Sequence, residues 1–218
     1  MAAFTGLLLL KKYKHTAARY FIYFLVYTVF VDFLGNYTNW DFFESLNLRL
    51  KGTIFERNYW WYHIFWTIGS AVFYSFYFSI ILETLLYKKI VKYAGIIFFT
   101  VSALLISAFP ELLFNGQKGY VASTTSVIVI FICVAFYFIE ILKSDHILSF
   151  YKSINFYISV SILIWWLVTT PMTFYEAYFI KEDNDYVLLK RQVLLFSNIF
   201  MYLCFTFGLI YSRNKVNQ

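Results

Sequence analysis

The sequence contains little charge, since Asp, Glu, Lys and Arg together make up 14% of its 218 residues. Soluble domains carry about 25% charged residues and place their apolar residues at helical or strand spacing. This chain is instead 61% hydrophobic and 24% aromatic, with a mean hydropathy of +0.65, and its apolar residues form unbroken blocks. The scarcity of charge therefore excludes a water-soluble globular protein and indicates one that lies in a membrane.

Glycine, proline, cysteine and histidine are also scarce. Eight Gly and two Pro residues leave little room for long flexible linkers. The two cysteines, Cys133 and Cys204, lie within apolar blocks and form no C-x-x-C pair, and the three histidines share no ligand spacing. The sequence therefore predicts two buried thiols, no metal site, no redox motif and no cofactor.

Sequence motifs of common enzymes are absent as well. No H-E-x-x-H, G-x-S-x-G or Walker pattern occurs, and neither does a paired acidic motif of the D-D-x-x-D type. The longest loop, 36–58, is too small for a domain with its own core. We therefore predict a single integral membrane domain over 1–218 that has no enzymatic activity, binds no nucleic acid, and acts within the bilayer or through partners.

The most informative stretch present is 59–86, YWWYHIFWTIGSAVFYSFYFSIILETLL, in which only His63 and Glu83 are ionisable. A helix of roughly 20 apolar residues crosses the hydrocarbon core of a bilayer. Aromatic residues crowd its first turns, as they do at the level of lipid headgroups. Its other end is followed by three lysines, Lys88, Lys89 and Lys92. This stretch predicts a membrane-spanning helix.

Five further blocks have the length and composition of spans: 20–34, 94–114, 120–142, 153–179 and 192–212. Residues 1–10 are apolar but only about half as long as a span. They predict a re-entrant or interfacial segment, or the inner half of a helix whose upstream residues precede this start. We therefore predict an all-α, polytopic transmembrane helix bundle of seven-helix type, with six full spans and an N-terminal half span.

The basic residues divide unequally between the two ends of these spans. Eleven of the 18 Lys and Arg residues fall on the side of 11–19, 88–92, 143–152 and the chain end, and seven fall on the other. Cytoplasmic loops carry the excess of Lys and Arg. We therefore predict a multi-pass protein of the cytoplasmic (inner) membrane with a cytoplasmic C-terminus, and we attribute the net charge of +6 to this orientation.

The loop 36–58 is the longest predicted extracytoplasmic segment and mixes acidic with basic residues. Its apolar residues Phe42, Phe43, Leu46 and Leu50 recur at helical spacing. A helix with one apolar face lies in the membrane interface. The loop therefore predicts a short interfacial helix.

Ionisable residues within spans are costly and mark functional sites by default. Asp32 lies about twelve residues above the inner boundary, or roughly 18 Å at 1.5 Å per residue, and other acids fall near outer helix ends. We predict an outer site for a cation or polar ligand at Asp32, His63, Glu111, Glu176, Trp60 and Trp61. The alternative is that each residue caps a helix, snorkels or hydrogen-bonds a neighbouring aromatic residue.

Two glutamates, Glu83 and Glu140, lie near the predicted cytoplasmic face, and lysines follow both of them. They predict a site for an intracellular partner, or else surface ion pairs. The Ser and Thr residues inside the spans predict close helix packing, with a polar conduit as the alternative.

Two stretches, LLLLKKYKHTAARYFIYFLVYTVFVDFLGN and RNYWWYHIFWTIGSAVFYSFYFSIILE, supply a basic first inner loop and a span with an aromatic end. This layout resembles a group of small seven-span bacterial membrane proteins that are similar to the membrane input modules of some sensor kinases. The resemblance lies in hydropathy over most of the chain and carries over no functional residue. It implies a sensory or accessory role.

The sequence therefore predicts a non-enzymatic integral membrane protein, either a sensor or a subunit of a membrane complex, that recognises a ligand or partner at its outer face. Its expected partners are membrane lipids and either another protein or a second copy of this chain. A small transporter or channel for a cation or small polar solute is the alternative. An intramembrane lipid enzyme is a third hypothesis, with no motif to support it.

Overall fold

The computed structural model describes residues 1–38, 48–114, 120–175 and 184–212, and the regular elements in these ranges are all helical. Six helices are long and apolar enough to cross a membrane: Ala18–Thr38, Tyr59–Ile81, Leu85–Ala108, Ala122–Lys143, Ile154–Met172 and Asp185–Tyr211. The prediction of an all-α, multi-pass membrane protein with six spans is confirmed. The seven-helix type and the half span stay predictions, because residues 1–13 form only short helices.

We label the helices in chain order. Two short helices, α1 (Ala2–Leu8) and α2 (Leu10–Tyr13), precede α3 (Ala18–Gly35). The next span, α4 (Tyr59–Ile81), contains a π-helical segment at Tyr62–Ile68. The helices that follow are α5 (Leu85–Ala108), α6 (Glu111–Phe114), α7 (Tyr120–Lys143), α8 (Ile154–Tyr175) and α9 (Asn184–Tyr211).

The long helices pack as a closed ring. α3 packs against α4, α4 against α7, α7 against α8 and α8 against α9, while α1 packs against both α9 and α3. α5 packs outside the ring against α4 and α7. Large side chains fill the interior, including Phe21, Tyr77, Ile158 and Phe205. The outer faces expose apolar side chains, as helices do where lipid is their solvent.

The two ends of the bundle differ in composition. We call one the basic end; it carries residues 11–19, 82–92 and 140–153 and the last turn of α9. We call the other the aromatic end; it carries residues 31–38, 55–66 and 109–114. Each end contains one of the two predicted sites.

The boundary between α4 and α5 differs from the prediction. α4 ends at Ile81 rather than 86, and α5 begins at Leu85 rather than 94. Leu82 and Thr84 adopt extended backbone conformations, with ψ of 143° and 116°. The three lysines that follow the predicted span 59–86 therefore lie in the first turns of α5.

Other boundaries differ as well. α5 ends at Ala108, because the residue before a proline is disfavoured in the helical conformation and Pro110 follows closely. α9 begins at Asn184 rather than 192 and therefore includes Lys190 and Arg191. Both residues are good helix formers, so the helix continues past the limit that hydropathy sets.

The predicted interfacial helix lies mostly outside the described residues. Phe42, Phe43 and Leu46 fall in the range 39–47, which the structure does not describe. Residues 48–50 are helical. The interfacial helix therefore stays a prediction.

The first thirteen residues bind the end of α9. Lys12 Nζ donates to the carbonyl oxygens of Leu209, at 3.1 Å, and Ile210, at 3.2 Å, and the Tyr13 hydroxyl donates to Leu209 O at 2.8 Å. Carbonyls in the last helical turn have no partner within the helix, and a cation stabilises them. Burial raises the pKa of Tyr13 to about 12, so its hydroxyl keeps the proton that it donates. These bonds hold α2 at the rim of the ring.

Candidate functional site

A cavity of about 320 Å³, lined by both polar and apolar residues, opens at the basic end. It lies between the loop after α2, the break between α4 and α5, the end of α7 and the start of α8. Its walls include Glu83 and Glu140, the two glutamates of the predicted inner site. Tyr13, Thr16, Tyr137 and Asn155 line it as well. The fold therefore brings Glu83 and Glu140 to one cavity, although their role in binding a partner stays a prediction.

The Glu140 carboxylate stabilises the break between α4 and α5. Its Oε1 accepts the backbone N–H of Glu83 at 2.7 Å, and its Oε2 accepts that of Thr84 at 2.9 Å. The first N–H groups of a helix have no partner within it, and a negative charge there is favourable. Glu140 thus caps α5 from a different span.

Asn155 connects this cavity to the core. The buried Tyr77 hydroxyl donates to Asn155 Oδ1 at 2.7 Å, which leaves the amide Nδ2 of Asn155 as a donor at the cavity wall. The Tyr137 hydroxyl interacts with Ser153, another lining residue. Polar groups of α7 and α8 therefore line the cavity, and the Tyr77 hydroxyl of α4 lies behind Asn155.

The remaining hydroxyl groups present acceptors to the cavity. Thr16 Oγ1 donates its proton to Tyr13 O at 3.0 Å, and Ser144 Oγ donates to Ile141 O at 3.2 Å. Each oxygen keeps lone pairs that can accept a hydrogen bond. The Lys152 ammonium group lies over the Tyr151 ring, 5.4 Å from its centroid. The lining therefore combines two carboxylates and several hydroxyl groups with one ammonium group.

At the aromatic end, the start of α4 is fastened to the end of α3. Trp61 Nε1 donates to Val31 O at 2.9 Å, and Asn58 Nδ2 donates to Gly35 O at 2.7 Å. A Cβ atom on Gly35 would come within 2.8 Å of the Tyr62 ring. A larger residue at position 35 would therefore displace the Tyr62 and Trp61 side chains.

Trp60 lies within an aromatic cluster at the same end. Its ring contacts Phe55 and Trp61, both with centroids 5.5 Å away, and Phe55 in turn contacts Phe114 at 5.6 Å. Trp60 Nε1 is buried and has no hydrogen-bond partner among the described residues. The cluster connects the segment before α4 to α6.

The predicted outer site is only partly assembled. Asp32 is exposed on α3, next to the residue that binds Trp61, and it interacts electrostatically with the hydroxyls of Tyr62 and Tyr202. His63 is half-buried in the π-helical segment, and Glu111 is exposed at the start of α6. Within the described ranges no hydrogen bond or ion pair joins these three residues, and no group of three or more His, Cys, Asp and Glu residues could hold a metal ion. Glu176 lies outside the described residues, so the outer ligand site stays a prediction.

Sequence reasoning did not identify the π-helical segment in α4. Such segments are rare and often occur at functional sites. The Tyr27 hydroxyl donates to Phe65 O within the segment at 2.7 Å. Trp66 contacts Trp165 of α8, whose Nε1 donates to Asn198 Oδ1 of α9 at 2.7 Å. The segment therefore contacts α3 and α8, and hydropathy contains no signal for it.

Comparison with known proteins finds no family model, no curated protein and no solved structure that matches this chain. The resemblance to membrane input modules therefore stays a prediction. Function has to be argued from the residues themselves.

Proposed function

We propose that this chain is a non-enzymatic sensor or subunit of a membrane complex, and that it recognises a ligand or partner at the aromatic end and a protein partner at the basic end. The excess of Lys and Arg at the basic end supports a cytoplasmic location for that end and for the C-terminus. The protein would then lie in the cytoplasmic membrane, with the aromatic end outside.

The observation that carries this proposal is the bonding of Glu140 to the break between α4 and α5. α4 starts in the aromatic cluster, where Trp61 binds α3, and ends at the N–H groups that Glu140 accepts. A displacement of α4 caused at the aromatic end would be passed to Leu82 and Thr84 and would reshape the cavity. Packed elements that adopt two discrete arrangements couple distant sites in this way.

The chemistry of the cavity indicates the kind of partner group. Glu140, Thr16 and Ser144 carry oxygen acceptors at its walls, and the two lining glutamates outnumber the one lining cation, Lys152. A Lys or Arg side chain of a partner protein supplies three or five N–H donors and a positive charge. We infer that a basic side chain of the partner enters this cavity.

Native mass spectrometry tests the proposal. The tagged chain is first extracted from its host in a mild detergent. Ser144→Phe fills the cavity with an aromatic ring, whereas Leu142→Phe places the same ring on an exposed position two residues away. We expect a protein partner at fixed stoichiometry with the wild type and with Leu142→Phe, and its loss with Ser144→Phe. Equal thermal stability of the two variants would show that both are folded.

Two outcomes would contradict the proposal. A partner retained by Ser144→Phe would place the contact elsewhere. A chain that always purifies without a protein partner, and that conducts cations when reconstituted in vesicles, would favour the transporter alternative. That alternative has less support, because buried hydroxyls such as Ser159 and Ser161 donate to carbonyls of their own helix, at 2.8 and 2.6 Å.

A further inference from the structure

Three helices border a groove on the outer surface of the bundle, near the basic end. On one side of α4, the Phe73 ring stacks on Phe24 of α3, with centroids 3.9 Å apart. On the other side, Ser75 packs so closely on α5 that a Cβ atom on Gly95 would lie 2.5 Å from Ser75 Cβ. At about 100° per residue, Phe76 falls between Phe73 and Ser75 around the circumference of α4. Phe76 is 47% exposed, so this outer groove faces lipid between α3 and α5.

Arg19, in the first turn of α3, borders the outer groove on one side. Its Nη2 donates to the Tyr20 hydroxyl at 2.6 Å, and its guanidinium group lies over the Tyr20 ring, 4.6 Å from the centroid. The Tyr20 ring in turn contacts Phe76 of α4 edge-on, with centroids 5.5 Å apart. Arg19 Nη1 donates to Lys14 O at 3.3 Å, and a guanidinium group has further N–H donors for an anion.

Lys92, in the second turn of α5, borders the outer groove on the other side. Gly95 faces α4, whereas Tyr87 faces α7, where its ring stacks on Phe136 at 4.6 Å. At about 100° per residue, Lys92 and Tyr87 lie on opposite sides of Gly95. The exposed Lys92 therefore lies on the side of α5 that faces away from α7 and borders the groove.

Arg19 and Lys92 lie at the same depth in the bilayer. Sixteen residues separate Arg19 from Gly35, the last residue of α3, and Lys92 from Ala108, the last residue of α5. Sixteen helical residues span about 24 Å, which is shorter than the hydrocarbon core of about 30 Å. Both side chains therefore extend toward the basic end, to the level of the lipid phosphate groups.

The outer groove has an excess of positive charge. The acidic side chains that the structure describes at the basic end, Glu83 and Glu140, line the cavity. Neither Arg19 nor Lys92 has an ion pair among the described residues. A cation at the edge of the hydrocarbon is costly unless an anion lies beside it, and the anions at this level of a membrane are lipid headgroups.

We propose that the outer groove binds an anionic phospholipid. Its phosphate group accepts charge-assisted hydrogen bonds from Arg19 and Lys92. Its acyl chains lie along Phe76 and along Phe99, which is 55% exposed and follows Lys92 by two turns on the same side of α5. A zwitterionic phospholipid fits less well, because its own ammonium group would face the same two cations.

Binding of two lipids with identical acyl chains tests this inference. Delipidated protein in a non-ionic detergent is titrated with dioleoylphosphatidylglycerol, which is anionic, or with dioleoylphosphatidylethanolamine, which is zwitterionic. Native mass spectrometry then gives a Kd for each lipid. We expect the anionic lipid to bind at least about tenfold more tightly, because each Lys or Arg near the headgroup favours an anionic lipid about fivefold.

Single variants with a matched control make the test specific. Arg19→Gln and Lys92→Gln should each weaken binding of the anionic lipid about fivefold and leave binding of the zwitterionic lipid unchanged. Arg19→Lys keeps the charge and should keep most of the affinity. Lys143→Gln removes one exposed charge from the same end of the bundle and should leave both affinities unchanged. Lys143 lies 23 residues from Tyr120, at the start of α7, or about 34 Å, and therefore beyond the hydrocarbon core.

Several results would overturn the inference. Equal affinity for the two lipids would leave the groove with contacts to acyl chains alone. Unchanged binding of the anionic lipid by both Arg19→Gln and Lys92→Gln would place the lipid elsewhere. A loss in Lys143→Gln as large as that in Lys92→Gln would reflect net charge rather than a site. Displacement of the anionic lipid by an equal concentration of soluble glycerol phosphate would show that the acyl chains play no part.

Discussion

Gly95→Ala is expected to lower the free energy of unfolding by about 2 kcal/mol, the range for overpacking of a well-packed contact. A Cβ atom on Gly95 would lie 2.5 Å from Ser75 Cβ and 2.8 Å from Ser75 Oγ. Both residues are buried where α4 meets α5. Small residues at such contacts let transmembrane helices approach closely. Unfolding in mixed micelles of mild detergent and sodium dodecyl sulfate would measure the loss.

The double variant Ser75→Gly/Gly95→Ala is the matched control for this contact. It moves the small residue to the other helix, so it should recover most of the stability that Gly95→Ala loses. Ala103→Val adds apolar volume at an exposed position of the same helix and should have little effect. If Gly95→Ala were as stable as the wild type, α4 and α5 would not pack at this distance.

Glu140→Ala is expected to lower the free energy of unfolding by about 2 kcal/mol, because it removes both charge-assisted bonds to the break between α4 and α5. For a chain of this size, that loss corresponds to a fall in melting temperature of roughly 4–8 °C. Glu140→Gln keeps one acceptor oxygen and should lose about half as much. Lys143→Ala, exposed one turn later on α7, should change little.

Hydrogen exchange separates local from general effects of Glu140→Ala. The amides of Glu83 and Thr84 should lose protection in this variant, while the amides in the middle of α7 should keep it. Unchanged exchange at 83 and 84 would mean that the Glu140 carboxylate does not hold the break in the folded protein.

The six spans could be predicted from the sequence because each is an apolar block of sufficient length. Their ends could not, since they depend on distant contacts. The break at Leu82–Thr84 lies inside a long apolar block, and it is stabilised by Glu140, which lies 57 residues away from Glu83 in the sequence. Likewise, α9 extends over Lys190 and Arg191 because helix propensity does not follow hydropathy.

The sequence predicts which candidate residues share an end of the bundle, because successive spans alternate in direction. Alternating spans place Glu83 with Glu140 at one end, and Asp32 with Trp60 and Trp61 at the other, whatever the details of packing. The contacts within each end were not predictable. No pattern in the sequence indicates that Trp61 binds Val31 O, or that Trp60 Nε1 is buried without a hydrogen-bond partner among the described residues. These contacts depend on rotation of the helices about their axes.

Thiol labelling from each side of the membrane tests the central claim, that the cavity at the basic end opens to the cytoplasm. Ser144→Cys, in a background with Cys133→Ala and Cys204→Ala, places one thiol at the cavity wall; Thr53→Cys, exposed at the aromatic end, is the counterpart. We predict that a membrane-impermeant maleimide labels Ser144→Cys only in inverted vesicles and Thr53→Cys only in right-side-out ones. Labelling of Ser144→Cys from the outside, or from neither side, would contradict the account.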